Sequence, residues 1–148
     1  MSWKAMTAEA GFELALSVEG ALPLFTAEGE RRWVPGWEPE MLGGDGAAGS
    51  VFVTRTNTVE TVWVVVDYDP QRGIARYARH VAGVHAGLVE VRCAALSADR
   101  CAVRVRYTLT PLAEAAVAAL AEFFEPQRFA DSIAGWKRLI VAAGLAAD

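Results

Sequence analysis

The stretch Leu88-Val89-Glu90-Val91-Arg92-Cys93-Ala94-Ala95-Leu96-Ser97-Ala98-Asp99-Arg100-Cys101-Ala102-Val103-Arg104-Val105-Arg106-Tyr107 decides the fold. Apolar and charged residues alternate along both halves, the period of a strand with one buried face. Val89, Val91 and Cys93 oppose Glu90, Arg92 and Ala94, while Val103, Val105 and Tyr107 oppose Arg104 and Arg106. Matching apolar face to apolar face sets Val91 opposite Val105 and Glu90 opposite Arg106. A two-residue loop at Ala98-Asp99 has the wrong parity for that register. An odd-numbered loop or a bulge is therefore predicted between Ser97 and Arg100. Cys101 then faces Ala95 with Cys93 only a diagonal neighbour, which argues for free thiols over a disulfide.

Upstream, residues 51–55, 60–68 and 74–81 read as further strands, and Asp69-Pro70-Gln71-Arg72-Gly73 is a turn with proline in an early position. With 88–96 and 102–109 they make a five-strand meander. Residues 7–19 carry Phe12, Leu14, Leu16 and Val18 on one face and read as one more strand, ended by Gly20. Residues 21–27 suit a short helix with Pro23 in its first turn. The segment 29–39, with two prolines and two glycines, is irregular. Gly43-Gly44-Asp45-Gly46 is a loop with no phosphate cradle. Downstream, Thr110 is the expected N-cap of a helix beginning at Pro111, with Leu112, Ala116, Ala119, Leu120 and Phe123 as its apolar stripe. Pro126 opens a second helix, where Phe129, Ile133, Trp136 and Ile140 recur on one face until Gly144. The expected fold is an α+β domain spanning residues 1–148: a curved antiparallel sheet of six strands around a C-terminal helix, with a small helix and loop after the first strand.

Composition narrows the function. The chain has 148 residues, a formal charge of −4 and 53% hydrophobic residues. The acidic balance and the absence of a basic stripe argue against nucleic acid. No apolar run approaches the ~20 residues that span a bilayer, and the N-terminus lacks a signal-peptide core. A cytoplasmic location without membrane insertion is expected. The bias toward Arg and Ala suggests a GC-rich bacterial genome.

Gly29-Glu30-Arg31-Arg32-Trp33-Val34-Pro35-Gly36-Trp37, Trp63-Val64-Val65-Val66-Asp67-Tyr68-Asp69-Pro70 and Tyr77-Ala78-Arg79 carry a resemblance. Tyr107-Thr108-Leu109-Thr110-Pro111-Leu112 and Trp136 add to it. In these segments the chain resembles the START-like (SRPBCC) superfamily with its helix-grip fold, and in particular polyketide cyclase/dehydratase-like proteins. The resemblance runs from Phe12 to Ile140 and implies a small hydrophobic or aromatic ligand held between sheet and C-terminal helix. A cyclase- or dehydratase-like enzyme is the alternative, and a protein–protein module the weaker one. Ala82-Gly83 stands where many members have Pro-Gly, so that turn is expected to differ.

The concave face left open by one helix is the natural cavity. Val62, Val64, Val66, Tyr68, Val89, Val91, Val103, Val105 and Tyr107 are assigned to it, with Phe129, Ile133 and Trp136 from the helix. Trp33 and Trp37 either form a lid that meets the ligand or plug the barrel end as core. Trp63 falls opposite the inward valines. Either a second copy of the chain covers that face in a homodimer, the preferred reading, or the strand's faces are inverted. Arg79 is a solvated strand arginine if outward and an anion partner if inward. Tyr77, Arg79 and His85 are the candidates for proton transfer, and the ligand-contacting set is Trp33, Trp37, Val64, Tyr77, Arg79, Val105, Tyr107, Phe129, Ile133 and Trp136. His80 and His85 cannot assemble a metal site by themselves, and no cofactor motif is present. The expectation is therefore no metal and no cofactor.

Overall fold

The meander anchors the architecture. In the structure, a computed structural model that describes residues 2–148, strands β6 (His85–Ser97) and β7 (Arg100–Pro111) pair with Glu90 opposite Arg106 and Val91 opposite Val105. The parity is met by a bulge between Ala95 and Ser97, just ahead of the expected interval, and Ser97 pairs with Arg100 across a two-residue loop at Ala98-Asp99. Cys101 faces Ala95, and Cys93 and Cys101 are free and buried. Around this hairpin, β1 (Met6–Leu14), β3 (Val51–Thr56), β4 (Val59–Asp69) and β5 (Ile74–Val81) join one antiparallel sheet. Its order is β1-β7-β6-β5-β4-β3-β2, which makes seven strands rather than six. The extra strand β2 (Glu40–Gly43) is exposed along its whole length. With no buried face it carries no alternation for a sequence reading to detect; it exists because β3 offers it an open edge.

Strand β1 stops at Leu14, short of residue 19, because Ser17 caps a helix: its hydroxyl accepts the Gly20 N–H at 3.1 Å. Residues 18–30 then form three short turns in place of one helix. These are α1 (Val18–Ala21), a 3-10 turn at Leu22–Phe25 that seats Pro23, and α2 (Ala27–Glu30), capped by Thr26. At the other end β7 runs through Pro111, since the ladder to β6 continues until His85 and Leu112 N–H bonds the Val84 carbonyl at 2.9 Å. Helix α3 (Glu114–Phe123) therefore starts after Ala113, with neither Thr110 as cap nor Pro111 as first residue, and Leu112 stays outside it and exposed. Pro126 does open α4 (Pro126–Ala142), with the Glu125 carboxylate capping the Gln127 and Arg128 N–H groups. Phe129, Ile133 and Ile140 are buried on its sheet side and Trp136 is half-buried there.

The faces of β4 are inverted relative to expectation. Thr61, Trp63 and Val65 are buried, whereas Val62 and Val64 are only half-buried on the convex side. A bulge between Val65 and Asp67 ejects Val66, 41% exposed, and returns Tyr68 to the concave side with Val65 and Tyr77. Valine suits either face of a strand, so three of them could not outvote one indole. Trp63 stacks on Phe52 at 5.8 Å and meets Trp37 and Tyr77 edge-on. Its burial removes the case for a dimer partner over that face and for a docking surface built on it. Among the described residues no helix is long and apolar enough to cross a membrane.

Candidate functional site

The concave face is largely filled by aromatic rings. Trp33 is 5% exposed, donates its indole N–H to the Leu24 carbonyl at 2.8 Å and packs on Phe25 and Trp136. Trp37 donates to the Ala27 carbonyl at 2.8 Å and packs on Phe52 and Trp63. Both are plugs pinned to backbone carbonyls of the 18–30 segment, not lids. Phe129 meets Tyr107, Phe123 and Phe124 in a second aromatic group, and with Ile133 and Val105 it is solid core that lines none of the spaces described below. Val64, on the convex side, leaves the candidate set.

The interior is consequently divided. A cleft of about 590 Å³ opens between the 18–30 segment and the glycine-rich 44–47 loop, floored by Phe52, Val65, Tyr68 and Tyr77. A recess of about 300 Å³ opens at the other end between α3 and the β5–β7 strands. Its walls are Val84, Tyr107, Leu109, Ala116, Ala119, Leu120 and Phe123, joined by the guanidinium of Arg79 and the imidazole of His85. Between them lies a central chamber of about 20 Å³ lined by Glu30, Trp37, Trp63, Tyr77, Tyr107 and Trp136 among others.

Arg79 points inward. Its guanidinium carbon sits 4.9 Å from the centre of the Trp63 ring, a cation–π contact, and its Nε donates to His85 Nε2 at 3.0 Å. No hydrogen bond is made by its two terminal nitrogens among the described residues. His85 must present a bare Nε2 to accept that bond, so it is neutral. Burial first, then the Arg79 charge, lowers its pKa to about 4. Tyr77 has the opposite fate: its hydroxyl donates to the Phe25 carbonyl at 2.6 Å, and burial pushes its pKa far above the usual phenol range. A phenol spent on a backbone carbonyl holds the 18–30 segment to β5 and is a poor proton donor to a ligand. His80 is exposed, and no group of three or more potential metal ligands forms among the described residues.

Glu30, which the sequence reading passed over as a candidate, is the unexpected member. Burial raises its carboxyl pKa from 4.5 to about 8, against the opposing pull of Arg79. It ends α2, where Gly29 lies so close to the Pro23 carbonyl and Leu24 backbone that no Cβ fits. That contact rolls the turn inward and carries Glu30 with it. The only sequence signal is this glycine, placed before a charged run whose other members, Arg31 and Arg32, are exposed.

No protein-family profile matches the chain, and neither does any curated protein sequence. Solved structures do. Truncated norcoclaurine synthase from Thalictrum flavum superposes with a TM-score of 0.70 at 13% identity, over 98% of this chain and 94% of that one. Ginseng (Panax ginseng) major latex-like protein 151 gives 0.68 at 13% identity, over 95% and 97%. A Rhizobium loti protein gives 0.65 at 18%, over 94% and 96%. At such identities the likeness is one of architecture: the chain has the START-like helix-grip fold.

Proposed function

We propose that this protein binds a small, mainly apolar molecule, aromatic or polyketide-like, in the recess between α3 and β5–β7. One observation carries the reading: an apolar-walled space of about 300 Å³ whose charged member is a guanidinium with both terminal nitrogens uncommitted. The size lies at the lower end for small-molecule sites, and a few convergent polar groups in apolar walls are their usual composition. Exposed Val84 and Phe123 give it an apolar rim. The larger cleft offers less. Its Thr26 hydroxyl caps Gly29, its Asp45 carboxylate takes the Ala47 N–H, and its Glu28 pairs with Arg31. The same fold in norcoclaurine synthase has been solved with dopamine and hydroxybenzaldehyde, so small aromatic guests are compatible with it.

The test is Arg79→Met, which keeps much of the stem and removes the charge. 2-Naphthoate binding to wild type, followed by fluorescence, should be saturable and should weaken by roughly ten- to a hundredfold in the variant, the size of a charge-assisted hydrogen bond. Naphthalene should bind both proteins alike. If neither compound saturates the folded wild type, the recess is not a binding site.

A further inference from the structure

Most buried polar groups in this molecule are satisfied. Glu90 on the convex side is paired with Arg76, Arg92 and Arg106. Tyr77 has its backbone carbonyl and His85 has Arg79. Tyr107, the half-buried Glu30 and Thr61 are the exceptions, and Thr61 lines a separate opening on the far side of Trp63. Glu30 is half-buried and Tyr107 is 9% exposed, yet neither makes a side-chain hydrogen bond or ion pair among the described residues. Every fully sealed side-chain nitrogen or oxygen does have a partner. The Glu30 carboxyl and the Tyr107 hydroxyl must therefore face open space. The space both line is the central chamber, whose 20 Å³ admits one water-sized group. Tyr107 is also a wall of the 300 Å³ recess.

We propose that the central chamber is a subsite for one uncharged oxygen, a carbonyl or enol oxygen, on a ligand whose ring occupies the recess, with the Glu30 carboxyl and the Tyr107 hydroxyl as its hydrogen-bonding partners. This rests on the binding reading above and names the ligand's chemistry: an apolar ring bearing a terminal carbonyl or its enol. The volumes match that division, a ring-sized space beside an atom-sized one. The electrostatics match it too. An amine would meet Arg79, which already occupies the Trp63 face as resident cation. An acceptor oxygen meets donors instead. Burial keeps the Glu30 proton on up to about pH 8, so at neutral pH this acid donates a hydrogen bond as Tyr107 does. The titratable and charged groups facing Glu30 are Arg79 and Tyr77 on β5 and Tyr107 on β7, with His85 on β6 behind Arg79. Burial raises both tyrosines and lowers His85 to about 4. Between pH 6.5 and 9 the proton that comes and goes at this site is therefore the one on Glu30.

A pair of near-isosteric probes tests the subsite: 2-acetylnaphthalene, which presents a carbonyl oxygen, and 2-ethylnaphthalene, which does not. Neither titrates. Calorimetry on wild type should show the ketone binding tighter than the hydrocarbon at pH 7. Its affinity should fall about tenfold by pH 9 as a group titrating near 8 loses its proton, while the hydrocarbon's affinity stays level. Glu30→Gln keeps a neutral donor, so the ketone should stay bound and its pH dependence should vanish. Tyr107→Phe should weaken the ketone roughly fivefold, as one neutral hydrogen bond is lost, and leave the hydrocarbon unchanged. Equal affinity of the two probes at every pH, with saturable binding of both, would overturn the subsite and leave the recess standing. Binding of neither would overturn the recess and the subsite together. A pH dependence that survives in Glu30→Gln would assign the proton elsewhere and refute the role given to Glu30.

Discussion

Burial without a partner makes Glu30 costly above neutral pH. The folded chain holds its proton up to about pH 8, whereas an unfolded carboxyl releases it near 4.5. The unfolded state therefore binds fewer protons across that interval, and stability falls as pH rises through it. His85 acts in the opposite sense lower down. Its folded pKa of about 4 against 6.5 means that its contribution is lost as pH falls from 6.5 toward 4. Above pH 6.5 the Glu30 slope stands alone of the two. Urea melts should show wild type losing stability between pH 6.5 and 8.5, and Glu30→Gln remaining level and more stable at the upper end. A level wild-type profile would place the carboxyl in water. Residue type and spacing could not reveal any of this. Glu30 stands in a run of charges that reads as solvated surface, and only the contact of Gly29 with the Pro23 carbonyl turns it inward.

The elements that carry the core were the most legible. The stripe of α4 is written at helical spacing, and Trp136 stacks on Phe25 at 6.0 Å while leaning on Trp33 at 5.7 Å. Trp136→Ala should cost about 3 kcal/mol in denaturant melts, the low end for aromatic truncation because the ring is only half-buried. A loss within the range of surface substitutions would mean that α4 is rotated away from these rings. Glu125→Ala, which uncaps the Gln127 and Arg128 N–H groups, should cost about 1 kcal/mol by the same measurement. The facing of strand β4 is hidden in its sequence for a physical reason. Its alternation is real on both sides, and valine packs equally on either, so only the rings waiting at Trp37, Phe52 and Tyr77 choose the face. The bulge that ejects Val66 leaves no mark in composition.

At the scale of the molecule, the aromatic plugs turn what a curved sheet and one helix suggest, a single large cavity, into several separate openings. A neutral apolar dye such as Nile red should bind the native protein saturably. Ala119→Trp, which sets a ring on an exposed position of the recess wall, should abolish that binding and leave the denaturant midpoint nearly unchanged. Undiminished binding would assign the dye to the 590 Å³ cleft instead. The β6–β7 register, the need for an odd loop or a bulge at its turn, the free cysteines and the α4 stripe were readable from residue order alone, because each follows from periodicity between near neighbours along one or two elements. Packing between elements alone set which way β4 faces, made plugs of Trp33 and Trp37, spent Tyr77 on a carbonyl, and brought Glu30 and Arg79 into one interior. Those outcomes depend on which surfaces meet between separate elements, and a side chain's chemistry is set by the partners it meets there, not by its neighbours in sequence.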